Sequence, residues 1–500
     1  MTHFELNKFD LTVICEEENI DATAKTEINN SQLELYLTAN ASKPEFIELK
    51  WSFKSSDNIF VLGDAWERSY GNLEFLSLYK NDHFMPWYFI ATDKNSSFCV
   101  GVKTGCNSFV SFRYYSKGIT ALIDCRNGGS GVHLNGRKIH LATFVYEKYD
   151  SGDILFCLKD FCRKLCDNPL LPKERIYGGN NWYYAYGKSS YKQIISDTKL
   201  QSELSKDITN KPFEVIDDCW QKHSCCGPWY PNRKFKDMAK LAGEIKSYGV
   251  RPGIWVRLLR NKDRAIKKEM RILRGGKRTY LDPTHPFVQK YIKADIERIK
   301  SWGYELIKHD FTTADLFGDY GMNLDSTITK IDGWHFYDKS KTNAEIVLDL
   351  YKLIREAAGN MLIIGCNTVS HLSAGMVHIY RTGDDTSGRE WERTKKMGVN
   401  TLAFRLAQNE AFYMCDADCV GILKDYIPWD KNKQWLHLLS YSNTPLFISC
   451  TDKINSEQRE DISEAYKAFN ESHRIKPIDI FENRTPSEWE IDGKKVTYNW

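Results

Sequence analysis

The chain has 500 residues, too many for one core of ordinary size, so two or three domains are expected. Lys plus Arg number 69 and Asp plus Glu 66, a formal charge of +3, and this near-balance argues against a nucleic-acid or membrane-surface protein. The start, MTHFELNKFDLTVICEEE, lacks the basic and apolar regions of a signal peptide, and no apolar run is long enough to span a bilayer. Fourteen cysteines without a leader favour reduced thiols and a cytoplasmic protein.

In chain order, residues 1–166 read as all-β. Short β-rich runs recur, among them Glu34-Leu35-Tyr36-Leu37, Phe60-Val61-Leu62, Trp87-Tyr88-Phe89-Ile90-Ala91, Phe98-Cys99-Val100-Gly101-Val102 and Ile119-Thr120-Ala121-Leu122-Ile123. Turn residues such as Asn127-Gly128-Gly129 and Asn135-Gly136 separate them, the pattern of a β-sandwich. Residues 153–166 read as a short helix beneath it, and 167–174, with Pro169 and Pro172, as a linker.

Residues 175–470 change to strand followed by helix. Candidate strands lie at 175–180, 213–218, 250–256, 304–310, 361–366, 377–382, 411–416 and 445–449, with the clearest helices at 235–248, 286–302, 344–358 and 391–406. Eight such units in about 280 residues match a (β/α)8 TIM barrel. A doubly wound sheet would need a nucleotide loop after its first strand, and Gly178-Gly179-Asn180 lacks the G-x-G-x-x-G frame. The insertion at 312–342 reads as a lid or substrate loop. Residues 471–500 read as a short C-terminal β extension, a hairpin around Asp492-Gly493 that is not a domain by itself. The fold class is therefore multidomain β plus α/β.

The run Trp302-Gly303-Tyr304-Glu305-Leu306-Ile307-Lys308-His309-Asp310-Phe311 is an apolar strand that ends in charge. Parallel barrels carry their chemistry at the strands' carboxyl ends. Lys308 and Asp310 fall on one side of the strand, so Lys308 is expected to keep Asp310 ionised; His309 points to the other side and reads as a packing residue. The other strand ends supply Asn180, Asn181 and Trp182; Asp217, Asp218 and Trp220; Trp255 and Arg257; Cys366 and Asn367; Arg381, Asp384 and Asp385; and Asp416 and Asp418. Carboxylates with a few bases and aromatic faces suit glycoside hydrolysis, in which one carboxylate attacks and a second, protonated, donates to the leaving oxygen. Neighbouring Asp217 and Asp218 suit sugar hydroxyls, since ionised carboxylates only accept. Metal binding is the competing use of clustered carboxylates. The group Cys219, His223, Cys225 and Cys226 fits no closed tetrahedral zinc spacing. No metal and no cofactor is expected.

The order of these motifs resembles the clan D glycoside hydrolases, the α-galactosidases and α-N-acetylgalactosaminidases of families 27 and 36. The motifs are Gly178-Gly179-Asn180-Asn181-Trp182, Val215-Ile216-Asp217-Asp218-Cys219-Trp220, Pro252-Gly253-Ile254-Trp255, Lys308-His309-Asp310, Arg381-Thr382-Gly383-Asp384-Asp385 and Thr444-Pro445-Leu446-Phe447-Ile448-Ser449. An N-terminal β-sandwich fits family 36 better than family 27. The resemblance implies a retaining, exo-acting hydrolase of terminal α-galactosyl-type residues, with Asp310 as nucleophile and Asp385 as acid/base, Asp384 being the alternative one residue away. It further implies that Asp217, Asp218, Lys308, Arg381 and Asp418 bind hydroxyls, with Trp182 and Trp255 as platforms. Cys366 and Asn367 fall in the loop that reads the sugar's C2 substituent, and the segment Gly365 to His371 departs from both families' patterns there. An α-N-acetylgalactosaminidase, a raffinose-synthase-like transglycosylase and, last, a non-catalytic carbohydrate-binding protein therefore stay open. The expected partner is a small oligosaccharide or glycoside, with no nucleic acid and no membrane; a homo-oligomer is left open. Asp385 is expected to have a raised pKa, so that it can donate a proton near neutral pH.

Overall fold

Alternation sets the N-terminal sheets. Gln32–Thr38 buries Leu33, Leu35 and Leu37 and leaves the residues between them half-buried, the period of two that one covered sheet face demands. The computed structural model describes residues 4–17, 21–29, 32–56, 58–80 and 83–500. One antiparallel sheet runs Asp10–Cys15, Pro44–Ser52, Gly118–Asp124, Phe109–Tyr115, Met85–Pro86. A second has seven strands, with Ile139–Tyr149 between Gln32–Thr38 and Ser97–Val102. Aromatic side chains of the two sheets meet: Trp51 and Phe144 at 6.1 Å, Phe89 and Phe112 at 5.7 Å, and Phe98 and Tyr114 at 5.7 Å between centroids.

The third sheet is parallel, with nine strands. Tyr177–Asn180, Phe213–Ile216, Arg251–Val256, Leu306–His309, Leu362–Gly365, Ile379–Arg381 and Met414–Asp416 lie side by side in chain order. Beyond Tyr177–Asn180 the sheet continues through Leu446–Ser449 to Val420–Gly421. Its two edge strands, Met414–Asp416 and Val420–Gly421, are consecutive in the chain, joined by Ala417-Asp418-Cys419. Several strands are buried along their whole length, as a parallel sheet covered on both faces requires. The helices between them are amphipathic. Pro286–Ser301 buries Val288, Ile292, Ile296 and Ile299 at helical spacing. Asn343–Ala358 starts from a capping box between Thr342 and Glu345.

Three local departures from the sequence reading have physical causes. The helix read at 391–406 is broken into Trp391–Thr394, a π-turn over Lys395–Asn400, Thr401–Arg405 and a 3-10 turn at Leu406–Gln408. There the Thr401 hydroxyl donates to the Met397 carbonyl at 2.6 Å and competes with the helical ladder. The C-terminal hairpin gains a third strand, Ile475–Pro477, paired with Glu488–Ile491. The loops after Phe213–Ile216 and Arg251–Val256 carry antiparallel ribbons, Gln221–His223 with Cys226–Pro231 and Arg271–Arg274 with Lys277–Leu281. Among the described residues, no helix is long and apolar enough to cross a membrane.

Two acids are buried behind the parallel sheet. Glu214 is 1% exposed with its Oε2 unpartnered, and Asp197 accepts from the Tyr184 hydroxyl and from Gln193 Nε2 at 2.9 Å. Burial pushes Asp197 up to about 7 and Glu214 well above the usual carboxylate range. A raised native pKa contributes stability below the unfolded value, which is lost as pH rises through the native one. Wild-type stability should therefore carry a falling component between about pH 4 and 7. Asp197→Asn should remove the part due to Asp197, raising Tm over wild type by several degrees at about pH 8 and not at about pH 4 in parallel thermal melts.

Candidate active site

The carboxyl ends of the parallel strands surround a cavity of about 260 Å³. Its walls include Trp182, Asp217, Asp218, Trp255, Lys308, Asp310, Cys366, Asp384 and Asp385, all read from the sequence. The geometry follows from register. Trp255 is paired with Lys308, and Lys308 with Ile364, so adjacent strands deliver their last residues to one level.

Lys308 does not pair with Asp310 as the spacing suggests. Its Nζ donates to Asp217 Oδ2 at 2.8 Å, and Asn180 Nδ2 donates to the same oxygen at 2.9 Å. Burial alone would depress the Lys308 ammonium, but Asp217 outweighs it and holds the group well above its ordinary value. Asp310 is held by two neutral donors: Trp255 Nε1 to Oδ2 at 3.1 Å and the Phe311 backbone N–H to Oδ1 at 2.6 Å. Enclosure raises the Asp310 pKa, opposed first by Arg68 and only then by Lys308, while Asp385 adds to the rise. The expectation that Lys308 keeps Asp310 ionised is thus corrected: the ammonium is committed to Asp217, and the net shift of Asp310 is upward.

The expectation for Asp385 is also corrected. Burial acts to raise it, but Arg381, Arg68, Lys308 and Arg393 together hold it below the usual carboxylate range. Arg381 Nη2 reaches Asp385 Oδ1 at 3.1 Å, and the Asp385 side chain is 37% exposed to the cavity. Asp384 differs in kind, since both its oxygens are taken, Oδ1 by Arg68 Nη1 at 3.0 Å and Oδ2 by Arg393 Nη2 at 2.6 Å.

Trp255 is not an open platform. Its ring is 2% exposed, packed against Trp229 and Phe311, and it offers the cavity an indole N–H. Asp218 is crowded by donors, among them Gln221 Nε2 at 2.6 Å and the Cys225 N–H at 3.0 Å. Cys225 Sγ lies 2.9 Å from Asp218 Oδ2, and burial followed by that carboxylate pushes the thiol up to about 12. Cys219 turns to Ser224 and Cys226 is buried in the adjoining ribbon, so the cysteine and histidine residues near 219–226 face different partners.

Three expected site residues lie behind the wall and not on it. Asp418, 2% exposed, accepts from the Tyr183 hydroxyl, the Thr386 N–H at 2.7 Å and Arg381 Nη2 at 2.5 Å. Arg381 is itself 2% exposed and spans Asp418 and Asp385. Asn367 is fully buried, and with its amide oriented to satisfy both neighbours it donates to Glu67 at 2.5 Å and accepts from Arg68 at 3.0 Å. His309 packs near Tyr351, with Nδ1 3.3 Å from the Thr312 hydroxyl, and burial lowers it to about 4.

Arg68 and Tyr70 also line the cavity, and they come from the N-terminal region. The loop after Phe60–Gly63 crosses to the strand ends. Ser69 forms a parallel bridge to Gly383, its N–H donating to the Thr382 carbonyl at 2.8 Å. Arg405, 1% exposed, fastens the loop through Asp64 at 2.7 Å and the Glu67 carbonyl at 2.7 Å. The sequence holds one hint of this: Trp66-Glu67-Arg68-Ser69-Tyr70 interrupts β-alternation with a charge pair between aromatics. Phe311, Tyr320 and Met322, from the segment after Leu306–His309, complete the rim.

No family model matches this sequence, and no curated protein does. Solved structures do. An α-galactosidase from Thermus thermophilus, in complex with p-nitrophenyl α-D-galactopyranoside, aligns with TM-score 0.66 at 13% identity, over 98% of this chain and 97% of that one. A family 36 α-galactosidase from Geobacillus stearothermophilus, in complex with stachyose, aligns with TM-score 0.60 at 13% identity, over 96% and 76%. A family 31 dextranase from Flavobacterium johnsoniae, complexed with glucose, aligns with TM-score 0.54 at 10% identity, over 89% and 61%. The likeness is one of fold. It agrees with the clan D resemblance read from the motifs.

Lys308→Met should strand Asp217 as a buried unpaired carboxylate and cost about 3–5 kcal/mol of stability in urea unfolding. Adding Asp217→Leu should recover more than half of that loss. A double variant no more stable than Lys308→Met would contradict the pairing.

Proposed function

We propose that the chain is a retaining, exo-acting glycoside hydrolase that removes terminal α-galactosyl-type residues from small oligosaccharides or glycosides. The observation that carries this is the cavity, in which Asp310 and Asp385, from different strands, face one space walled by Asp217, Asp218 and Trp182. The motif order and the likeness in fold support the same reading. On this reading the nine-stranded parallel sheet closes as a (β/α)8 barrel over residues 175–470. The two antiparallel sheets of 1–166 form a sandwich, 167–174 link the two, and 471–500 extend the barrel. Fourteen free thiols suit a reducing, cytosolic setting.

Asp310 is the nucleophile. The N–H groups of Trp255 and Phe311 fix its carboxylate without neutralising it. Asp385 is the acid/base: its carboxyl reaches the cavity on one bond to Arg381, whereas Asp384 is clamped by two arginines. The cations around Asp385, Arg381 first among them, favour its ionised form, the reverse of what the first step needs. Substrate supplies the change, because an uncharged sugar expels water from around Asp385 and thereby favours its protonated form. Asp217, with Lys308 beside it, takes sugar hydroxyls at the base of the cavity. Arg381 and Asp418 act from behind as positioning residues, and Cys366, 2% exposed, borders the fifth-strand side.

Activity should appear first on p-nitrophenyl α-galactoside within a panel that includes α-N-acetylgalactosaminide, α-glucoside and β-L-arabinopyranoside; turnover of β-galactoside alone would contradict the assignment. Asp310→Ala should lose at least about 10³-fold in kcat, with azide restoring turnover to a product of inverted configuration. Asp385→Asn should spare activated aryl glycosides most. It also removes a like charge that raises Asp310, so the acidic limb of kcat/KM should move to lower pH while the basic limb disappears. An unmoved acidic limb would break the coupling between the two carboxyls.

A further inference from the structure

The proposed reaction leaves open where the leaving group goes, and the surface beside Asp385 bears on it. Trp182 lines the cavity, and its ring lies 5.2 Å from that of Tyr186. Arg389 stands over Tyr186 at 4.2 Å and over Tyr426 at 5.3 Å. Tyr186 is 37% exposed and Tyr426 52%, so a row of aromatic faces runs from the cavity wall into solvent. Three separate segments build it, and their backbones hold it. Tyr186 sits in the left-handed region at φ 43°, as do Ser387 at 64° and Gly388 at 62°. Gly388 rests directly on the Gly421 backbone, where an added Cβ would lie 2.6 Å from Gly421 Cα, and this close approach seats Arg389 beside the loop that carries Tyr426. Thr386 Oγ1 ties the same loop to the Cys419 carbonyl at 2.9 Å.

We infer that Trp182, Tyr186, Arg389 and Tyr426 form an extended leaving-group subsite for the second and third sugar rings of an α-galactosyl oligosaccharide. This rests on the glycosidase reading above, with Asp385 as the acid. An acid that protonates the glycosidic oxygen must have the leaving group on its own side, and Asp385 is next to this row: Arg393 Nε donates to its carbonyl at 2.5 Å from the segment that follows Arg389. Partly exposed tyrosine rings can take the C–H face of a pyranose on the side not covered by Arg389, and the exposed guanidinium supplies donors for hydroxyls. The opposite rim, with Tyr320 and Met322, offers a competing route.

The test compares three substrates on the intact protein: α-galactosyl fluoride, which carries no leaving-group sugar, melibiose with one, and raffinose with two. For Tyr186→Ala, Tyr426→Ala and Arg389→Ala, the loss in kcat/KM on raffinose should exceed the loss on the fluoride by about five- to twentyfold, with melibiose between, and most of it in KM. Tyr426→Trp should retain the wild-type preference. Equal losses on all three substrates would overturn the subsite, and so would a selective loss confined to Tyr320→Ala and Met322→Ala. If wild type did not turn over α-galactosyl fluoride at all, the glycosidase reading itself would fail, an outcome distinct from either.

Discussion

Charge compensation among side chains largely buried from solvent is the constraint on which this structure depends. Lys308 and Asp217 meet at 2.8 Å at the strand ends, where removing either would leave its partner buried without a counter-charge. The same rule runs around the cavity. Arg381 neutralises Asp418 and leans on Asp385, while Arg68 and Arg393 clamp Asp384. What remains is an asymmetry between carboxyls. Asp217, Asp384 and Asp418 are committed to cations, Asp310 is held by neutral N–H donors, and Asp385 keeps one contact and an open face.

That constraint also explains why the N-terminal sheets are part of the site. The loop carrying Glu67, Arg68 and Tyr70 reaches the strand ends, and Arg405 fastens it from beneath. Glu67 is fully buried, and its Oε1 accepts from the Gly321 N–H at 2.6 Å, so the loop also anchors the segment bearing Tyr320 and Met322. Two elements distant in sequence thus share one wall.

Much of this was legible in the residues. Apolar, β-prone runs located the parallel strands: 304–310 contains Leu306–His309 and 361–366 contains Leu362–Gly365, each read slightly long because residues flanking the paired segment, such as Tyr304, Met361 and Cys366, are themselves apolar. Nine of the twelve residues given a site role by the motif resemblance do line the cavity. The other three, Asn367, Arg381 and Asp418, end at the right level but are turned behind the wall by partners that spacing cannot name, such as Tyr183 for Asp418. The partner of Lys308 was illegible for the same reason. Spacing along one strand suggested Asp310, whereas Asp217, at the end of a strand two places away across Arg251–Val256, lies within reach of the Lys308 ammonium. Arg68 and Tyr70 lie more than a hundred residues from the parallel sheet, and no local period relates the two.

If Asp310 is the nucleophile proposed above, it becomes covalently bonded to the sugar during turnover. A fluorinated α-galactosyl fluoride that slows hydrolysis of the intermediate should trap it, and mass spectrometry of a digest should place one galactosyl adduct on the peptide containing Asp310. Label on a peptide containing Asp385 or Asp384, or release of β-configured sugar with no adduct, would contradict it.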